Sequence, residues 1–235
     1  SNGETATFTF VAWDQTSGTA SANGAPSTGN PGAGGGTTAY SSQSATASMT
    51  VTAVNDAPTV TNGATVVLAG TDENTSSSGT TVNAVLSSAS WADVDTGALK
   101  GIAITGKTGS GTWQYSTDGV TWASFGTVSG SSALLLSATT QVRYVPDGQN
   151  AETATFAFVA WDQTSGTAST NGVAAYANPG AGGGTTAYSG QAASASLTVT
   201  AVNDAPTISN GATVALASTN EDTTSSATTV STILS

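Results

Sequence analysis

The stretch ETATFTFVAWDQTSGTA at residues 4–20 returns as ETATFAFVAWDQTSGTA at residues 152–168, and AVNDAPT at 53–59 returns as AVNDAPT at 201–207. Residues 4–87 as a whole are written again, with modest edits, at 152–235, so the chain is a window on a 148-residue tandem repeat. Within the quoted stretch, Phe156 and Phe158 share one face of an extended run, and Leu197 and Val199 of SASLTVTAV (194–202) do the same. Period-two alternation of this kind marks half-buried strands.

Working outward, ATVVLA (64–69), TTVNAVLS (80–87), LKGIAITG (99–106), GTWQYS (111–116), SALLLSA (132–138) and QVRYVP (141–146) also read as strands. Asp118-Gly119 is a hairpin signal between two of them. Seven or eight short strands with no helical period predict an all-β fold, a two-sheet β-sandwich of the immunoglobulin-like kind. Cutting the repeat after Ala57 gives the C-terminal part of one module (1–57), a complete module (58–205) and the N-terminal part of the next (206–235), stacked end to end. A unit built to be stacked serves by spanning distance or by offering equivalent surfaces, so the expectation is a structural or adhesive array and not an enzyme.

Of 235 residues only 17 are charged, 14 of them acidic, for a net charge of −11. Such a chain repels phosphates and anionic headgroups, which argues against nucleic acid and membrane-surface partners. With neither cysteine nor histidine, zinc sites, thiol chemistry and imidazole-based triads are excluded. Richness in Ser, Thr, Gly, Asn and Ala fits a secreted, cell-surface protein, and no apolar run is long enough for a membrane span. No signal peptide is visible; because the chain begins in mid-repeat, it reads as a piece of something longer.

Residues 165–190, containing NPGAGGGTTAYSG, form a Gly-rich excursion with a twin at 17–42. The glycines cannot support a helix and no Lys follows them for phosphate binding, so the segment reads as a surface loop. A sharper reading puts Tyr176 and Tyr188 of this loop against an adjacent module or a neighbouring fibre.

Carboxylates are scarce enough for their positions to inform. Apart from Asp118, they fall at strand ends or in the connector VNDAP. Glu152 and Asp162 bracket one strand and so lie about 33 Å apart. They cannot share a site within one module, but stacking brings acids from successive modules together across the connector. That cluster repels itself, and a hard cation with oxygen ligands is its natural partner.

The pattern resembles the cadherin fold, and more closely the cadherin-like repeats of giant bacterial surface adhesins, whose modules often end in VNDAP-type connectors. DEN at 72–74 resembles a PEN-type motif, which implies Glu73 as a ligand at the downstream junction, with Glu221 of NED (220–222) as its counterpart. ADVD at 92–95 resembles the DxD pair, implicating Asp93 and Asp95. AWDQTSG at 160–166 resembles the AxDxxG segment, with Asp162 in the metal position and Asp14 its copy. VNDAP at 54–58 and 202–206 supplies Asn55, Asp56, Asn203 and Asp204. The connector departs from DxNDNxP, since Ala53 or Ala201 replaces the first Asp. The resemblance implies Ca2+ at the junctions, one or two ions each. Glu4, Asn55, Asp56, Asp93, Asp95 and Asp162 are expected at the junction inside this chain, and Glu73, Glu152, Asn203 and Asp204 at the second.

The implied role is a structural or adhesive repeat of a long extracellular protein or filament, whose partners are neighbouring repeats and other copies in a fibre. A carbohydrate-binding alternative rests on Trp91, Trp113, Trp122, Tyr115 and Tyr144, with surface glycans as partners; strand register makes core packing the stronger reading of these aromatics. A hydrolase needs two carboxylates flanking a cleft, and the close pair Asp93 and Asp95 falls at a packed junction instead.

Overall fold

The computed structural model describes residues 3–234. In the upstream copy, β1 (Glu4–Trp13) pairs antiparallel with β2 (Tyr40–Val51). The complete repeat runs β3 (Thr65–Val67), β4 (Thr71–Asp72), β5 (Thr80–Thr81), α1 (Val82–Ser88), β6 (Gly101–Lys107), β7 (Thr112–Ser116) and β8 (Ala123–Ser124). It continues with β9 (Ala133–Ser137), β10 (Gln141–Val145), β11 (Glu152–Trp161), β12 (Tyr176–Ala177) and β13 (Tyr188–Thr200), and α2 (Val230–Leu234) follows in the downstream copy. The fold is β-rich, with few helices.

The complete repeat has two sheets, β5-β10-β7-β8 and β12-β9-β6-β11-β13-β3, with β4 also against β13. Pairing is antiparallel except at one edge, where β3 and β4 run parallel to β13. The main core cluster draws on both sheets: Trp113, Tyr115 and Tyr144 from one, Ile102, Ile104, Phe156, Phe158 and Leu197 from the other. Trp113 anchors it, with ring centroids 5.0 Å from both Tyr144 and Phe156. Burial alternates along β11 and β13 as the period of two requires.

The expected hairpin is formed by β7 and β8, and its turn is held by Asp118, whose Oδ1 accepts the N–H groups of Val120 and Thr121 at 2.8 and 2.7 Å. One expected strand is corrected. In 80–87 only Thr80 and Thr81 are extended, and the chain then turns into α1. Thr81 caps it by accepting the Ala84 N–H at 3.2 Å, and Val82, Val85 and Leu86 bury at helical spacing. Three core positions on one stripe outweigh the β-branched lead-in, and the same turn recurs as α2, 148 residues on.

The upstream hairpin repeats the downstream one register for register. Glu4 faces Val51 as Glu152 faces Val199, and both pairs shift register just before Trp13 or Trp161. Burial differs sharply, because β11 and β13 are flanked by β6 and β3 while β1 and β2 pair only with each other. Phe8 is 66% exposed, whereas its counterpart Phe156 is 0% exposed. Residues 213–215, the copies of β3, form no strand.

Candidate junction site

The connector is clasped by the module it enters. Asn55 Nδ2 donates to Asp162 Oδ2 at 2.9 Å and to the Thr186 carbonyl at 3.1 Å. The Asp56 N–H donates to Asp95 Oδ2 at 2.8 Å, and the Ala57 N–H to the Gly184 carbonyl at 2.8 Å. Beyond buried Pro58, Thr59 exchanges backbone bonds with Ala92. Every bond joins the run 55–59 to a point 33 to 131 residues away in sequence.

Local structure places each acceptor. Asp162 directly follows β11, and its own N–H is tied to the Ala187 carbonyl at 3.0 Å. Its Oδ1 accepts both the N–H and the hydroxyl of Thr164, at 2.8 and 2.6 Å, leaving Oδ2 to face Asn55. Gln163 takes a positive φ of 67° and sends its amide to the Lys100 carbonyl at 2.7 Å, fixing the turn. The Gly-rich loop presents Gly184 and Thr186 because Gly182 (φ 64°) lies so close to Ser189 that a Cβ there would fall 2.2 Å from its carbonyl oxygen.

Asp93 and Asp95 sit in the loop between α1 and β6, where the Asp95 N–H donates to Asp93 Oδ1 at 2.8 Å. Asp93 Oδ2 is buried without a hydrogen-bond partner. Burial pushes the Asp93 carboxyl above its ordinary range, and the charges of Asp95, Asp162 and Asp56 push the same way. The Asp56 N–H holds Asp95 below its ordinary range. Thus Asn55, Asp56, Asp93, Asp95 and Asp162 are brought together.

At the opposite pole Glu73 is 2% exposed; its Oε1 accepts the Val202 N–H at 2.6 Å, and its Oε2 is buried without a partner. Glu73 therefore does hold the outgoing connector, while Asn203 and Asp204 beyond it are exposed. Glu152 is not with them. Its carboxylate takes the Tyr144 hydroxyl on one oxygen and the Ser110 N–H at 2.8 Å on the other, and these bonds lower it against the cost of burial. Glu4 is exposed at the start of β1, and Glu221 is exposed in the downstream copy. Exposed Asp14 reproduces the turn of Asp162, accepting the Thr16 hydroxyl and N–H at 2.7 and 2.9 Å, and they lower it.

The aromatic candidates disperse. Trp113, Tyr115 and Tyr144 lie in the core. Trp91 and Trp122 are partly exposed, each faced by a cation: Lys100 Nζ at 4.7 Å and the Arg143 guanidinium at 4.1 Å. Of the loop tyrosines, Tyr188 is buried with Trp161 in a second cluster, and Tyr176, 40% exposed, donates its hydroxyl to the Phe125 carbonyl. The connector is met instead by backbone carbonyls of the loop. Those carbonyls, and Thr164, were missed in the sequence; the Gly run and the Thr two residues after Asp162 were the signals available.

As the side chains stand, among the described residues no three carboxylates are grouped closely enough to hold a metal ion. No described helix is long and apolar enough to cross a membrane. Against protein-family models, curated proteins and solved structures, the chain finds no match.

Proposed function

We propose that the chain is a structural or adhesive tandem repeat of a long extracellular surface protein or filament, built of end-to-end β-sandwich modules stiffened by calcium at their junctions. One observation carries the reading: the connector's Asn55 and Asp56 are bonded to Asp162 and Asp95 of the module they enter. A loose tether between independent domains has no use for bonds of this kind, whereas a strut needs them.

The calcium component is supported by the donor set. Four carboxylates, those of Asp56, Asp93, Asp95 and Asp162, share a neighbourhood in which the other three raise the cost of ionising Asp93. Asp93 also carries a buried oxygen with no partner. Oxygen-only donors of this type suit a hard divalent cation. Asp93, Asp95, Asp162 and the connector would hold it, and its charge would offset their mutual repulsion.

The test compares small-angle scattering of the chain with added calcium and with a chelator. A more extended, less flexible profile with calcium supports the reading, and superimposed profiles overturn its calcium component.

A further inference from the structure

The tripeptide Thr-Asn-Gly occurs twice in the complete module, at 61–63 and at 170–172. Each copy makes a tight turn: the Ala64 N–H donates to the Thr61 carbonyl at 3.1 Å and the Val173 N–H to the Thr170 carbonyl at 3.0 Å, with Gly63 at φ 71° and Gly172 at φ 78°. Asparagine before glycine is open to attack on its side-chain amide carbon by the next backbone nitrogen, because glycine has no Cβ to hinder the approach. Since the two tripeptides are identical, a difference in their reactivity is set by the fold.

The fold treats them oppositely. At Asn62 the attacking nitrogen is tied down: the Gly63 N–H donates to the Ala192 carbonyl at 2.8 Å, while Asn62 Oδ1 accepts the Ala192 N–H at a long 3.3 Å. At Asn171 the exposed Gly172 N–H makes no hydrogen bond among the described residues. Asn171 Oδ1 accepts the Thr117 N–H at 2.7 Å, a short bond that polarises the carbonyl and lies where negative charge develops when the amide carbon is attacked. The same bond fastens the Gly-rich loop to the turn between β7 and β8. There the Asn171 amide faces the Asp118 carboxylate, which the Val120 and Thr121 N–H groups hold ionised.

We propose that Asn171 is a self-modification site, at which the Gly172 nitrogen attacks the side-chain amide and the resulting aspartate or isoaspartate unfastens the loop from the hairpin turn. In the first step the Gly172 nitrogen gives its proton to water, the bond from that nitrogen to Cγ of Asn171 forms, and the Cγ–Nδ2 bond breaks as ammonia leaves. Water then opens the cyclic imide at either carbonyl. The net change is hydrolysis of an amide, with nothing oxidised or reduced. A donor facing Asp118 is replaced by a second negative charge, and in isoaspartate the main chain also gains a methylene, so the new carboxylate is driven away from Thr117.

The experiment incubates the whole chain at mildly alkaline pH, folded and in denaturant, and follows the exchange of NH2 for OH at Asn171 and Asn62 by peptide mapping. In denaturant the two sites should react alike. In the folded chain Asn171 should react faster than Asn62 by about tenfold, the rate equivalent of one hydrogen bond that need not be broken before attack. Equal rates in the folded chain, or a faster Asn62, overturn the proposal. Hydrogen exchange at Thr117 should quicken in the modified fraction and stay constant through the same incubation in Asn171→Gln. Exchange at Thr117 that is unchanged by the modification overturns the unfastening. Both readouts are taken in chelator, so they are independent of whether calcium stiffens the junction.

Discussion

The side-chain amide of Asn55 lies 2.9 Å from Oδ2 of Asp162, a residue 107 positions further along the chain. That bond ties the exit of one repeat to the end of β11 in the next, and with the Thr186 carbonyl it occupies both amide hydrogens. Asn55→Ala leaves a buried carboxylate oxygen without its donor. The loss of a hydrogen bond to a charged group costs about 1.5–3 kcal/mol. Hydrogen exchange at Asp56 and Ala57 is expected to quicken by about tenfold or more, with β11 and β13 unchanged; equal protection in the variant would refute this role.

Asp93 supplies a pH prediction. Its carboxyl is raised, so its ionisation in the folded chain works against the junction: the stability tied to its proton is present at low pH and lost as pH rises through the raised value. Asp95 and Glu152 are lowered and act oppositely, losing their contribution as pH falls through the lowered values. In chelator, mild acidification to just above the ordinary carboxylate range should thus slow opening of the connector before stronger acid unfolds the module. Asp93→Asn should reproduce the gain at neutral pH, by under about 1 kcal/mol, and abolish any response to calcium. Connector cleavage by a protease, measured against pH, reads both effects.

The repeat offers an internal control on core packing. Phe156→Ala removes a ring from the centre of the core and should cost about 3–5 kcal/mol in denaturant unfolding of the complete module. Phe8→Ala makes the same change at an exposed copy and should fall within about 0.5 kcal/mol. Similar losses for both would show that the upstream hairpin packs in solution against something it does not touch here.

Leu86 tests the helix that the sequence reading took for a strand. It is fully buried on α1, so Leu86→Ala should cost about 2–5 kcal/mol. Asn83→Pro tests how the start of α1 is tied down, because it deletes the N–H bond from position 83 to the Ala138 carbonyl while proline itself is compatible with a first helical turn. It should lower the melting temperature, and a neutral effect would show that this bond contributes nothing.

How far the sequence could be read depended on where the information sits. The paired alternations of 153–161 and 194–202 translate directly into β11 and β13, since period and burial are local properties of each strand. Scarcity made Asp93, Asp95, Asp162 and Glu73 legible as pole residues, and the structure sets each against a connector or in the cluster around it. Glu152 was not legible. What claims its carboxylate is the Tyr144 hydroxyl, on β10 of the other sheet, and a phenol reads in sequence as core. Gly184 and Thr186 act through backbone carbonyls, which every residue type possesses, so no choice of side chain announces them. The helix escaped because seven residues are too few for a 3.6-residue period to stand out against Thr and Val.

The parallel edge where β3 and β4 lie on β13 has a mechanical meaning. The chain enters the module ahead of β3 and leaves it just after β13, near Glu73. Tension applied through the two connectors drags these strands in opposite directions along their own axes. The bonds between them, including Leu68 to Ser196 at 2.8 Å and Glu73 to Thr200 at 3.0 Å, are then loaded together in shear and do not peel apart one by one. Resistance to such a load is governed by the unfolding rate and not by equilibrium stability. A single-molecule pull on tandem modules would register it as a high rupture force per module, and substituting Pro for Leu68, which deletes one of those bonds, should lower that force.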